Sequence, residues 1–509
     1  MIAIELTAAI DSAGTLATFY LSDDRLATRA GDTPANTAFE PAIRSAGSIK
    51  QTIFGDGRTA GSTKLASNEV RIDNADGRYD AWLNYSFDGR PLVIRRGNAG
   101  DAYPSAWSTV FTGAVDALTV TRKEVTIRLR DKQLIFDRAV STDRYGGTNV
   151  LPAGIDGTPD DLAGKAKPRV LGRVLNIAPP CVNTSKLVYQ PHNGQLASVD
   201  AVYDQCLALT FGADHADAGA LLAATVAAGA YDTCLAEGLI RLGSSPAGEI
   251  TCDVAQGASA VDRTAAALLL ALALEAGVDA LDIADDDAAA LAADAPAELG
   301  IWLSQGNETF ASVMDQIAAS VGGFYLFDPA GSLRMGRLNA PVGVPVLAIA
   351  EYDVAEPFER RPARDGDVPI WRVTIRHSRV YTVQTSDIAG AVTTARRALV
   401  AQEYRAQVAE NPAVKTQYLL AGEEAFDTLL VSEADAANEA ARRLALRGVR
   451  RNFYDLGVPA SLIAGAGLKL SDLVTVTYPR LGLAAGPTLV LLGIEHDYSR
   501  NRATLTLWG

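Results

Sequence analysis

Histidine is scarce in this chain, with four among 509 residues: His192, His215, His377 and His496. No two stand at a spacing that lets adjacent positions share a metal. No GxSxG, HExxH, GxxxxGK or GxGxxG string occurs. The sequence marks of α/β-hydrolases, zinc peptidases, P-loop NTPases and dinucleotide enzymes are therefore missing. The same search gives no catalytic residue, no cofactor-binding residue and no metal ligand. Cysteine is equally sparse. Cys181, Cys206, Cys234 and Cys252 form no CxxC pair and read as reduced, mostly buried thiols of a cytosolic product. Positive charge is in deficit, 46 Lys and Arg against 60 Asp and Glu, for a net charge of -14. Such a surface repels phosphate, which argues against sequence-specific nucleic-acid binding and against anionic membranes. No apolar run reaches the roughly 20 residues that cross a bilayer. The longest, Ala265 to Leu274, reads as a buried helix, so stable membrane insertion is not expected. The N-terminal MIAIELTAAIDSAG lacks the basic region of a signal peptide. Only five Trp occur, scattered along the chain. That gives little support to a glycan-binding or glycan-hydrolysing protein with an aromatic platform, and nothing singles out a carboxylate pair among 60 acids.

What is present is a large apolar content, 48%, over a length that suggests three or four domains. Ile2, Ile4 and Leu6 alternate, and Thr15 to Leu21 gives a second strand. Phe111 to Thr121 and Val125 to Leu129 flank Arg122-Lys123-Glu124, with Val125, Ile127 and Leu129 on one face and Thr126, Arg128 and Arg130 on the other. This is a half-buried hairpin. Asp73 to Asp80 tempts a calcium reading, but Ile72 and Leu83 stand where an EF-hand loop needs ligands, so a turn explains it better.

From 151 to 258, Gly, Pro and Asp punctuate short strands, as an inserted β-rich module would. Helical signals follow from 259 to 340. Ser259 with Asp262 predicts a helix start, Gly277 a stop, and Asn307 a second cap. Asp285, Asp286 and Asp287 fit a helix N-terminus better than a metal site. Phe310, Val313, Met314, Ile317, Ala318 and Val321 make one apolar stripe, followed by the hairpin Phe324 to Leu338. Past 341 the chain is β-rich again. Trp371 to Ile375 and Val380 to Gln384 suggest a hairpin, Pro357 to Pro369 a surface loop, and Ser432 caps a helix at 433 to 447 whose Arg442, Arg443 and Arg447 suit its C-terminal dipole. Val474, Val476 and Tyr478 alternate with Thr475 and Thr477, and Leu489 to Asp497 returns as Ala503 to Trp508. Within that hairpin His496 reads as a solvated strand residue. Val110 to Asp116 and Val490 to His496 share a pattern around Gly113 and Gly493, a weak internal repeat.

Leu470-Ser471-Asp472-Leu473-Val474-Thr475-Val476-Thr477-Tyr478-Pro479 and Leu492-Gly493-Ile494-Glu495-His496-Asp497, after a capped helix, resemble the C-terminal barrel of baseplate hub, or tail-tip central, proteins of long-tailed bacteriophages. Asp73 to Asp80 with Phe87 to Arg90 is similar to their first barrel. The resemblance implies a mainly β chain with α+β parts. Two similar hub β-barrels would occupy 1–150 and 341–509, with the inserted module at 151–258 and the helix-hairpin segment at 259–340. It implies a virion structural protein rather than an enzyme, a homotrimer at the tail tip assembled in the host cytoplasm, and a symmetry adaptor between a three-fold ring and a six-fold tube. The implied partners are the distal tail protein, the tape measure protein and tail spike or fibre proteins, around the DNA path and near the point of host cell attachment. Some tail-tip proteins carry iron–sulfur clusters, which leaves a cluster on the four cysteines as the alternative to buried thiols. The hub of a contractile injection machine, a tailocin or a secretion apparatus, is the neighbouring functional alternative.

Overall fold

The computed structural model describes residues 1–55, 64–65, 69–361, 368–498 and 500–509. The chain is mainly β with α+β parts, as the residue pattern suggests. Alternation sets the first sheet. In β1 (Ile2–Ala9) the side chains of Ile4, Leu6 and Ala8 are fully buried, and in β7 (Glu124–Asp131) Val125 and Ile127 are too. The other strands of this sheet used below are β2 (Ile43–Ser45), β4 (Glu69–Asp73), β5 (Pro91–Arg96) and β6 (Ser108–Val120). They hydrogen-bond in the order β1-β5-β6-β7-β4-β2, and three more strands, Leu16–Ser22, Leu26–Ala27 and Ala38–Pro41, extend the sheet beyond β1.

The second sheet comprises β8 (Leu347–Ile349), β9 (Ala355–Arg361), β10 (Phe453–Pro459), β11 (Leu473–Val476), β12 (Thr488–Asp497) and β13 (Arg502–Trp508). Its order is β8-β11-β12-β13-β10-β9. A strand from the first region, β3 (Ser48–Thr52), leaves its neighbours and pairs antiparallel with β12. Between the two sheets in sequence lie two five-stranded sheets built from 169–303. Val174, Val254 and Ile240 from both meet in one core. Gly300–Leu303 pairs with Arg169–Ile177, so strand ladders cross the segment limit 258 here and the limits 150, 258 and 340 at β3.

The largest core gathers α1 (Ala265–Glu275), α2 (Asp285–Asp294), α3 (Phe310–Ser320) and α4 (Glu433–Arg447) around Phe136, Val373 and Leu430. α1 is apolar on nearly every side and is buried accordingly. Among the described residues no helix is long and apolar enough to cross a membrane.

Four local expectations fail for identifiable reasons. Ser259 does not cap α1. Its N–H and hydroxyl both donate to Asp262, closing a separate turn, and Thr264 then caps the helix through the N–H of Ala267. Likewise Thr309, not Asn307, caps α3, in a reciprocal pair with Ser312. The hairpin across 371–384 does not form. Ser378 turns with φ +49°, its N–H goes to Leu430 O at 2.7 Å, and strand Arg372–His377 pairs instead with Arg405–Glu410 and Glu423–Asp427. Residues 357–361 are not loop but part of β9, while 362–367 of that expected loop lie outside the described residues.

Candidate assembly interface

Six strands of each large sheet follow one order. Leaving aside the three added strands between 16 and 41, and β3, the strands of the first ranked along the chain are β1, β2, β4, β5, β6 and β7, and those of the second β8 to β13. Both sheets run in the rank order 1-4-5-6-3-2. Among these six, neighbours are antiparallel in both sheets, except that β1 meets β5 antiparallel while β8 meets β11 in parallel. A helical turn stands between ranks three and four in each: the 3-10 helix Asp80–Asn84 and α5 (Ala460–Ala466).

The long strand of each unit carries one bulge against its hairpin partner, between Val115 and Ala117 in β6 and between Leu491 and Gly493 in β12. Counted from the hairpin ends, Val120 opposite Val125 and Asp497 opposite Arg502, these bulges differ by one residue. The two glycines are not equivalent, because Gly493 adjoins its bulge and Gly113 lies farther along, opposite Asp131. Their roles differ too. A Cβ on Gly113 would stand 2.3 Å from Arg130 O in its own hairpin. On Gly493 it would stand 2.9 Å from Thr52 Cγ2 and 3.2 Å from Gln51 O. Gly493 is thus what lets β3 approach β12.

That junction ties the two units together. Ile53 and Phe54, just past β3, pack with Phe324, Leu492 and Trp508, and the Phe54 and Phe324 rings meet edge-on at 6.2 Å. From the other side Tyr498, at the turn of the β12–β13 hairpin, packs on the first unit's core. Arg96 Nη2 donates to Asn501 Oδ1 at 2.7 Å. His496 is half-buried, not solvated. Its ring stacks on Tyr498 at 5.6 Å, and burial, with Arg96 adding to it, lowers its pKa. A cavity of about 420 Å³ lies between α2, the 323–337 hairpin and β12. Its main charges are matched, Arg334 Nη2 donating to Asp287 Oδ1 at 2.8 Å.

The remaining histidines are dispersed. Burial lowers the pKa of His192 to about 4, and its Nδ1 accepts from Val170 N at 3.0 Å. His215 Nε2 lies 2.8 Å from Asp232 Oδ2, and His377 Nδ1 2.8 Å from Ser378 Oγ. Cys206, Cys234 and Cys252 belong to three different hydrophobic clusters. Cys181 stands in a strand beside Tyr189. Among the described residues no three His, Cys, Asp or Glu side chains are placed to hold one metal. At 73–80 a turn forms, with Asn74 accepting from Tyr79 N and donating to Asp80. Asp285, Asp286 and Asp287 occupy the first turn of α2.

The arginines of α4 do something the sequence does not announce. Arg442 and Arg443 reach across to α3 and its exit. Arg443 Nη2 donates to Ala319 O at 2.7 Å and Arg442 Nη2 to Val321 O at 3.1 Å. They satisfy the carbonyl end of α3 rather than their own helix, with Glu439 held between them.

No family model matches this chain, and no curated protein matches it. Solved structures with a similar chain trace include tail proteins. The 43 kDa tail protein of prophage MuSo2 from Shewanella oneidensis aligns over 100% of this chain and 98% of its own, at 13% identity and TM-score 0.41. The tail protein from Neisseria meningitidis MC58 aligns over 93% of each chain, at 11% identity and TM-score 0.42. A chain of the native gene transfer agent virion aligns over 74% of this chain and 91% of its own, at 14% identity and TM-score 0.42.

Proposed function

We propose that this chain is a structural protein of a phage tail, the central hub at its tip. The observation that carries the reading is the internal duplication: one strand order, 1-4-5-6-3-2, built twice from a single chain. Three copies then present six like units, which is what a three-fold part needs to seat on a six-fold tube without leaving half of the tube's binding patches in water. The strings 470–479 and 492–497, similar to tail hubs, fall on β11 and β12 of the second unit, where such seating would be built. In this reading the chain is a homotrimer without catalytic activity. Its neighbours are the distal tail protein above, a spike or fibre below, and the tape measure protein at the axis. Exposed apolar side chains suit such an assembled part. Val342, Val344 and Val346 stand at alternate positions before β8 and are 83%, 89% and 50% exposed.

Cryo-EM of particles carrying this chain is the test. Three copies in a ring below the tube, with both units of each copy facing it, is the expected result. A chain missing from the particle, or a ring of another stoichiometry, refutes the hub assignment.

A further inference from the structure

Among the described residues, the second unit covers an edge that the first leaves open. β12 has β13 along one side. Along the other, β11 pairs with residues 488–490 and β3 takes over at 493–497. The equivalent strand β6 has β7 along one side and β5 along the other, but β5 stops at Ala114. Bonds between Val115 and the backbone at Gly89 and Arg90 end that contact. Among the described residues nothing pairs with this side of β6 beyond Val115.

The orientation of the free groups follows from the turn. Thr121 N donates to Glu124 O at 2.9 Å. Antiparallel neighbours exchange bonds at every second residue. Ala117 and Thr119 therefore direct their N–H and C=O to β7, and Leu118 and Val120 direct theirs to the open side.

Some other edges of these two sheets are blunted, although residues 16–20 of the strand Leu16–Ser22 also have no strand partner on the side away from β1 among the described residues. The strand Leu26–Ala27 has two residues, and β2 and β8 have three each. β9 carries Glu356, Pro357, Glu359, Arg360 and Arg361. The stretch Ala117-Leu118-Thr119-Val120 has no charge and no proline. This edge is guarded by neither charge nor proline, with only the bulge before Ala117 beside it.

We propose that this edge of β6 accepts a strand from a second copy of the chain, as β12 accepts β3 within one copy. The proposal rests on the ring-forming tail reading above. In a closed ring the two units alternate, so each junction inside a chain is matched by one between chains. Each copy fills its β12 acceptor by itself and has one equivalent acceptor left, at residues 117–120. The incoming strand bonds to Leu118 and Val120. A β-strand of a different tail protein is the competing occupant.

Residue-resolved hydrogen exchange on the purified full-length chain, together with sedimentation, tests this across roughly 1 to 100 µM. As the chain self-associates, the Leu118 and Val120 amides should slow at least about tenfold, while Ala117 and Thr119, already bonded, stay unchanged. Leu118→Pro removes an outward N–H that the β6–β7 ladder does not use, and should weaken association about tenfold or more. Thr119→Lys puts a charge on the edge without touching the core and should act in the same direction, which keeps the test open if the proline variant does not fold. Association without protection at Leu118 and Val120 overturns the proposal. So does a chain that stays monomeric throughout, or protection that arises only when another tail protein is added. The tail reading fails separately, by absence of the chain from particles. A ring in the particle whose β6 edge contacts a different protein refutes this inference alone.

Discussion

Glu439 gives the sharpest test of the packing. It lies on α4, 6% exposed, beside Arg443 at 5%. Its carboxylate accepts from Arg443 Nε at 2.6 Å and from Arg442 Nε and Nη2 at 2.8 and 2.7 Å. Arg337 stands 3.8 Å away. Burial opposes the charge, but the hydrogen bonds and charges of the two arginines outweigh it and hold the carboxyl below its ordinary value. Glu439→Gln keeps the shape and removes the charge. Arg443 is then a buried cation with no carboxylate beside it on α4, its acceptors being neutral: the carbonyls of Ala319 and Ser320 and the new amide oxygen. Removing one partner of a buried pair costs about 3–5 kcal/mol. Because Arg442 is partly exposed and can hydrate, the lower end, about 3 kcal/mol, is expected. That corresponds to roughly 6–12 °C in the melting of a domain of roughly 150–250 residues. Calorimetry and urea titration measure it. The double variant Glu439→Leu, Arg443→Met removes both charges and should recover at least about half of the loss. The pH sign follows from the lowered carboxyl. Its stabilisation is present above 4.5, the unfolded value, and is lost as pH falls through the folded one, so Glu439→Gln should flatten the acid limb. A melting temperature for Glu439→Gln within about 2 °C of the parent protein would show that the cluster does not hold α4 to α3.

Gly493→Val should push β3 off β12 and cost about 1–3 kcal/mol, with faster amide exchange at 48–52 while the β12–β13 ladder keeps its protection. A variant in which 48–52 stays protected refutes the role assigned to that glycine. His192 is buried neutral, so between 6.5 and about 4 the unfolded chain binds a proton that the folded chain does not. Its stabilisation is complete above 6.5 and declines by up to roughly 3 kcal/mol on acidification to about 4. In urea titrations over that interval His192→Gln should show a shallower decline, and an unchanged slope counts against it. Burial raises all four thiols, Cys252 well above the ordinary value. A thiol reagent at neutral pH should therefore modify Cys206, Cys234 and Cys252 more slowly than the half-buried Cys181, and all four after denaturation. Stoichiometric iron in elemental analysis would overturn the separate placement of the cysteines.

Much of the fold was legible where one local pattern decides. The stripe Phe310 to Val321 is buried as α3, and the alternation of Val125, Ile127 and Leu129 is the inner face of β7. The Ser432 cap stands where the sequence puts it. Misplaced starts came from competition between nearby caps: Ser259 and Asn307 have the right side chains, but Thr264 and Thr309 directly precede the apolar runs. The hairpin expected at 371–384 failed because two strand-like runs four residues apart say nothing about partners. Ser378 is drawn to Leu430, and Val380 bridges Leu175 instead. The Glu439 cluster was hidden because exposed and buried arginines look alike in sequence, and helix-dipole matching explained Arg442 and Arg443 well enough.

The interface was the least legible part, and the two glycine motifs show why. The likeness of Val110–Asp116 to Val490–His496 picked out the right pair of strands, β6 and β12. It did so in the wrong register, because both strands need small residues, but for different neighbours. Gly113 yields to Arg130 and Phe111 within its own hairpin, whereas Gly493 yields to Thr52 and Gln51 from the far end of the chain. A single sequence records that a position is small and not what approaches it. The approaching strand, Ser48-Ile49-Lys50-Gln51-Thr52, has only Ile49 and Thr52 buried, too weak an alternation to declare itself a strand. Ile53 and Phe54, which pack into the second unit's core, lie beyond its end. Pairing at such sequence separation is costly to close, and it is retained only where the edge it covers is worse left open. The same balance applies to Ala117–Val120, where no strand among the described residues covers the edge.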